Sequence, residues 1–330
     1  MSSISSSSSF SSSSSTSSLD EDDEDEVNVR TSPCWERYRS TLERRGVKLD
    51  TYRDVKQYYE RNWADNGVVP DLFDTCHKNG YLRACRGANP DALCKDAGLP
   101  DSLFRGTHRS GLPVIVKAVH LRSRELLTVR LLSSLRDDPR NHTIPILDII
   151  EVPEDNLGLI VQEEWSPELI VPNNVCSLRE FLNALRQCIE GLVFMHSMHI
   201  AHLDISLRNV LTDYHGHYRY IDFELSRRYD NLGGSGKEPR ISGCRGTEIP
   251  PELERGEQSD PFKVDVWALA VLILRACKLT GYDIPELIEL TRPMLQPTFE
   301  ARPTARAVLQ AFDRMASRIS EARLRMVLVH

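Results

Sequence analysis

No two of the eight cysteines in this sequence form a Cys-x-x-Cys pair. Cys76, Cys85 and Cys94 recur every nine residues, with His77 beside the first. Metal ligands come in pairs about two to four residues apart, so this spacing points away from zinc and toward reduced thiols in an intracellular protein. Long apolar runs are also missing. The longest lies near Val266 to Ile273, far short of the ~20 residues that span a bilayer. The amino-terminal stretch has no basic segment followed by an apolar one, so no secretory leader is expected. Basic excess is absent as well. The net charge is −7, and the acids of Asp20 to Glu26 supply the imbalance. Beyond that block acids and bases nearly cancel, which argues against nucleic-acid or membrane-surface partners. The expected setting is soluble, and cytoplasmic or nuclear.

Residues 1–31 are serine-rich and then acidic. Such a segment cannot bury enough apolar surface to offset its ordering entropy, so it is expected to be disordered. Residues 32–94 form an extension rich in large side chains, among them Trp35, Tyr38, Leu42, Tyr52, Tyr59 and Trp63, and are expected to pack on the β-rich unit that begins near residue 95. The run Leu112 to Val119 reads as a strand interrupted by Lys117. Asp101 to Gly106 precedes it, with a turn at Ser110-Gly111, which predicts a hairpin. Leucines and valines from Leu121 to Leu135 repeat at helical spacing. Ile146 to Val152 and Leu157 to Val161 read as two more strands. Beyond residue 177 the pattern turns helical. Ser177 with Glu180 forms a capping box for Leu178 to His199. Asp265 to Leu279 reads as a buried helix, and Pro303 to Met315 as an amphipathic one. The fold class is therefore α+β. A small, mostly β unit with one helix (95–162) precedes a larger, mostly α unit (163–330), the two joined near Gln162 to Pro167.

The chemistry concentrates in His202-Leu203-Asp204-Ile205-Ser206-Leu207-Arg208-Asn209-Val210-Leu211, followed thirteen residues after Asn209 by Asp222 in Tyr220-Ile221-Asp222-Phe223-Glu224. Phosphoryl transfer needs a carboxylate to orient the acceptor hydroxyl and oxygen ligands for Mg²⁺. Asp204 suits the first task. Asn209 and Asp222 suit the second, and the apolar neighbours would fix them on short strands.

This set resembles the eukaryotic protein-kinase superfamily, whose catalytic loop reads His-Arg-Asp-Leu-x-x-x-Asn and whose metal motif reads Asp-Phe-Gly. The resemblance continues in order over roughly residues 95–315. Val114-Ile115-Val116-Lys117 is similar to Val-Ala-Ile-Lys. Ile249-Pro250-Pro251-Glu252 is similar to Ala-Pro-Glu. Asp265-Val266-Trp267 resembles Asp-x-Trp, and Arg302-Pro303-Thr304 resembles Arg-Pro-Thr. The aromatic extension and Asn141-His142-Thr143-Ile144-Pro145 look like divergent fungal-type kinase families. The resemblance implies a bilobal kinase-like fold. It further implies an ATP- and Mg²⁺-dependent transfer (Mn²⁺ as a substitute) to a protein hydroxyl, serine or threonine rather than tyrosine. By the same resemblance Lys117 would hold the phosphates with Glu125 as its partner, and the main chain near Gln162 to Glu164 would hold adenine. Arg208 would neutralise charge on the transferred group. His202 would bond backbone near the metal motif, and Arg302 would pair with Glu252. The sequence leaves the protein substrate and the oligomeric state open.

The sequence departs from the family pattern at five points, the first being Ser206, which stands where serine/threonine kinases have lysine. The glycine positions of the phosphate loop would fall near Asp96, Gly98 and Asp101, and only Gly98 is a glycine. Glu224 stands where the metal motif has glycine, and Leu203 stands where the catalytic loop has arginine. Only eight residues separate Lys117 from Glu125. These departures keep a second reading open, a pseudokinase acting as scaffold or allosteric partner. Small-molecule kinases of the aminoglycoside or choline type share Asp-x-x-x-x-Asn, but Pro250-Pro251-Glu252 and Asp265-x-Trp267 argue against them.

Overall fold

The computed structural model describes residues 31–66, 75–96, 98–166, 177–229, 238–243 and 245–327. Residues 1–30, Cys176, the Gly233 to Gly236 stretch and Cys244 lie outside it, as do the side chains of Trp63, Cys76 and His77. Helix α1 (Trp35–Arg44) leads into strand β1 (Val47–Leu49). Two helices follow, α2 (Tyr52–Asn66) and α3 (Thr75–Arg86). Strands β2 (Leu103–His108) and β3 (Pro113–His120) form the expected hairpin. Helix α4 (Arg124–Ser134) and strands β4 (Ile146–Val152) and β5 (Leu157–Glu163) complete the first lobe. Its five-stranded sheet has the order β1-β2-β3-β5-β4, antiparallel throughout.

Side chains alternate across the strands, so the sheet has two distinct apolar faces. One face carries Phe104, Val114, Val116, Ala118, Leu159 and Val161. It packs on Trp35, Tyr38 and Leu42, which share one side of α1. Trp35 and Phe104 meet with ring centroids 5.3 Å apart. The indole N–H of Trp35 donates to the Asp101 carbonyl at 3.1 Å. The other face, through Val119 and Ile160, joins Leu126, Val129 and Leu132 of α4. That cluster is continuous with the core of the second lobe.

The extension 32–94 thus does more than pack on the sheet: it supplies the edge strand β1. Val47, Lys48 and Leu49 pair with His108, Thr107 and Gly106. Gly106 is needed there, because a Cβ would lie 2.5 Å from the Lys48 carbonyl oxygen. The whole of residues 50–102 is consequently inserted between β1 and β2. This insert closes on itself at its base, where Tyr52 and Arg53 N–H donate to the carbonyls of Ala92 and Pro90, and Cys94 N–H donates to that of Asp50. Val55, Tyr59, Ala84 and Cys94 form its own small core.

The second lobe begins with α5 (Leu178–Ser197), which carries the capping box read from Ser177 and Glu180. Strands β6 (Ile200–Ala201), β7 (Val210–Thr212), β8 (Tyr218–Tyr220) and β9 (Arg227–Arg228) follow, paired β6 with β9 and β7 with β8. Helices α6 (Pro251–Glu254), α7 (Pro261–Thr280), α8 (Pro285–Thr291), α9 (Ala305–Ala316) and α10 (Glu321–Leu324) complete it. Helix α7 starts before the expected Asp265. Asp260 accepts from Phe262 N–H, and Pro261 occupies the first turn, where its missing donor costs nothing. Among the described residues no helix is long and apolar enough to cross a membrane. Nor does any group of three or more His, Cys, Asp or Glu among them converge as a metal site.

Candidate active site

The 202–209 loop is shaped by Asp265, which is fully buried on α7. Its carboxylate accepts from His202 N–H at 2.8 Å, from Leu203 N–H at 2.7 Å and from His196 Nε2 at 2.8 Å. Leu203 is held at φ +64°. A γ-branched residue adopts that conformation only when its surroundings impose it. Its side chain is buried with Ile241, Leu253 and Val264. The position that carries arginine in the resembled motif is therefore an apolar anchor for the chain around Ile241. His202 Nδ1 accepts from Asp204 N–H, so Nε2 carries the proton and donates to the Ile221 carbonyl at 3.1 Å.

The β7–β8 pairing sets Val210 opposite Tyr220, and Ile221 N–H donates to the Asn209 carbonyl at 3.0 Å. This register brings the stretch carrying Asp222 alongside Asn209. Asn209 Nδ2 donates to the Asp204 carbonyl at 2.9 Å and to Asp204 Oδ2 at 2.8 Å. The amide nitrogen is thereby turned inward. Its Oδ1 has no hydrogen bond among the described residues. The other carboxylate oxygen of Asp204 accepts from Thr247 N–H at 2.6 Å. Sequence reasoning missed Thr247, because a main-chain donor leaves no side-chain signature.

Lys117 projects from β3 and meets two carboxylates, Glu125 Oε1 at 2.6 Å and Asp222 Oδ1 at 2.8 Å. The short Lys117–Glu125 interval suffices because Ser123 caps α4 just after β3 ends, its hydroxyl accepting from Leu126 N–H. Burial opposes charge on Lys117, but Glu125 and Asp222 outweigh it and hold the ammonium above its ordinary pKa. Burial pushes the Glu125 carboxyl up against the pull of Lys117, and Asp222 and Glu224 add to the rise. Each buried charge of the pair is offset by its partner at hydrogen-bond distance. Asp222, like Leu203, sits at φ +64°, whereas Glu224 is not in the left-handed region. The chain therefore turns at Asp222, and Glu224 fits without the torsion that glycine would supply.

Other expected residues fall elsewhere. Arg208 is exposed, with no hydrogen bond or ion pair among the described residues, and does not join the Asp204 cluster. Gly98 is not in a strand-to-strand turn. It is exposed, its N–H donates to Asp96 Oδ1 at 2.9 Å, and a Cβ there would meet only that oxygen at 3.6 Å. The reason is the insert, which separates β1 from β2 and leaves no short hairpin to cradle phosphate. The Gln162 to Glu164 main chain also turns inward. Gln162 pairs with Ile115, Glu163 N–H donates to the Pro145 carbonyl, and Glu164 N–H donates to that of Pro113. The next residue, Trp165, keeps main-chain groups that no described residue engages. Finally, Arg302 and Glu252 form a buried bidentate pair at 2.7 and 2.6 Å, as expected, with the Arg302 guanidinium 4.9 Å from the Trp267 ring centroid.

Comparison with known proteins finds kinases among the chains similar to this one. The family model described as protein kinase domain matches residues 141–284. Sperm motility kinase Z of Mus musculus is 28% identical over 201 residues, 58% of this chain and 39% of that protein. The serine/threonine-protein kinase-transforming protein mos of Moloney murine sarcoma virus is 26% identical over 207 residues, 56% of this chain and 54% of its own length. A mitogen-activated protein kinase kinase kinase of Cytospora mali is 30% identical over 89 residues, 27% of this chain and 5% of its own. The chain spans about half or less of the length of these relatives.

Proposed function

We propose, from the premise that this chain belongs to the protein-kinase-like superfamily and has its bilobal fold, that it transfers the γ-phosphoryl group of ATP to a serine or threonine hydroxyl of a protein. The observation that carries this reading is the double ion pair of Lys117 with Glu125 and Asp222. It sets a cation from the first lobe against the acid that follows the β7–β8 hairpin, which supports a polyphosphate lying between them. Asp204 would orient the acceptor hydroxyl, with Asn209 Nδ2 and Thr247 N–H steadying its two oxygens. Asn209 Oδ1 and the Asp222 carboxylate are hard oxygen donors and suit Mg²⁺. When bound, the metal would neutralise charge on the phosphates. Exposed Arg208 would meet charge on the substrate side. The reading includes a cytoplasmic or nuclear setting, supported by the unpaired Cys94, Cys188 and Cys277. It also includes a fungal-type affiliation, supported by the 141–145 run and the aromatic extension.

A second reading, a pseudokinase scaffold, is favoured by the insert that stands in place of a phosphate loop. Radiolabelled transfer from ATP, with Mg²⁺ and with Mn²⁺, separates the two. Incorporation that disappears in Asp204→Asn supports the enzyme. No incorporation, together with no Mg²⁺·ATP thermal shift, favours the scaffold.

A further inference from the structure

Lys117 and Leu103 are directly paired, as are Ile115 and Arg105. Residues two apart on a strand share a face, and cross-strand pairs share it too. Arg105 therefore projects from the same face as Lys117. That face is the interlobe cleft, because Lys117 reaches Glu125 and Asp222 from it. Arg105 does not point away from the sheet into solvent. Its Nε donates to Glu164 Oε1 at 2.5 Å, and Asp96 of the insert pairs with its Nη1. Strand β3 lies between β2 and β5, so the Arg105–Glu164 bridge crosses two strand spacings, roughly 10 Å of the cleft face. It ends beside Trp165, whose main-chain groups no described residue engages. Tyr58 of α2 closes the outer side, its ring centroid 5.5 Å from the guanidinium. Burial opposes the Arg105 charge, but Glu164 outweighs it and holds the group firmly cationic.

Building on the proposed nucleotide site, we infer that Arg105 gates it: the Arg105–Glu164 bridge, buttressed by Asp96, covers the base end of the cleft, and a purine nucleotide enters only when Arg105 leaves Glu164. A nucleotide with phosphates at Lys117 and its base at Trp165 must run along the strip of β3 that this bridge crosses. The insert thus takes the place of a phosphate loop and supplies a latch instead. A merely structural bridge would anchor the insert without altering affinity for nucleotide.

The test is binding of a fluorescent ATP analogue with Mg²⁺ to the full chain, to Arg105→Met and to Glu164→Gln, each with and without Lys117→Met. Arg105→Met keeps the aliphatic stem, and Glu164→Gln keeps side-chain size and leaves the insert's other contacts intact. Both variants are expected to bind about tenfold tighter, as for a site whose competent state is roughly one-tenth populated. Lys117→Met is expected to abolish binding in each. Unchanged or weaker binding in both variants, with binding still lost in Lys117→Met, overturns the latch and leaves the kinase reading standing. No binding by any of the proteins overturns both.

Discussion

At the scale of single residues, burial decides which charges are structural. Asp265 is the clearest case, because three donors converge on one buried carboxylate and two of them belong to the backbone of the 202–209 loop. Asp265→Ala leaves those donors unpaired and releases the φ +64° turn at Leu203. The expected loss is about 3 kcal/mol or more, from desolvated groups worth ~1–3 kcal/mol each. Urea unfolding measures it, and a loss near zero would mean that the loop is held by other contacts. Asp50 behaves in the opposite way. Burial, with Asp54 and Glu164 nearby, pushes its carboxyl up to about 6 despite Arg105 and Lys48. Between the ordinary value of 3.8 and about 6, the folded chain keeps a proton that the unfolded chain has released. This contribution to stability is therefore complete below 3.8 and is lost as pH rises through about 6. Asp50→Asn is expected to stabilise the protein at pH 7 and above, by up to ~3 kcal/mol, and to do almost nothing near pH 3.5. Denaturant midpoints at the two pH values check this. An equal effect at both would assign the change to packing rather than to charge.

At the scale of elements, the parts legible in the sequence are those whose partners lie close along the chain or whose pattern is periodic. The capping box of α5 and the β2–β3 hairpin are local, and each needs only a few consecutive residues, whereas the Lys117–Glu125 pair, though close along the chain, was read through resemblance. Strand β1 was not legible. Three residues carry no readable alternation, and their partner β2 lies beyond the entire insert. The same separation hid the Arg105–Glu164 bridge, since opposite charges 59 residues apart mean nothing without the strand register. The contact of Arg302 with Glu252 spans a similar distance, 50 residues, yet it was read through resemblance. It joins α6 to the turn ahead of α9, and Ser259 Oγ also donates to Glu252 at 2.8 Å. Burial tends to raise the Glu252 carboxyl, but Arg302 and Ser259 bring it below its ordinary value. Arg302→Met strands that carboxylate, with an expected cost of about 3–5 kcal/mol. The double variant Arg302→Met/Glu252→Gln should recover a large part of it. A double variant no more stable than the single one would show that Arg302 acts through its packing on Trp267 instead.

At the scale of the molecule, the apolar interior is uneven. The core around α5 and α7 runs without a break into α4 and one face of the sheet, so these elements should unfold together. Among the described residues, helices α2 and α3 rest instead on the core of Val55, Tyr59, Ala84 and Cys94, with Tyr52 and Tyr81 packed against it. Their base is tied by main-chain bonds between residues 50–53 and 90–94. An element with few buried apolar side chains opens at a lower free energy than the body that carries it. Amide hydrogen exchange read by mass spectrometry should therefore find 52–66 and 75–86 exchanging well before α5 and α7, with the base pairs intermediate. Tyr59→Ala removes the largest side chain among the described residues of that small core. It should speed exchange across both helices while shifting the global denaturant midpoint by less than the ~3–5 kcal/mol typical of aromatic truncation in a main core. Protection in the two helices equal to that of α7, or a full-sized global loss in Tyr59→Ala, would make the insert part of the central cooperative unit. In that case Tyr58 and Asp96 would be delivered to Arg105 by a rigid body rather than by one that opens on its own.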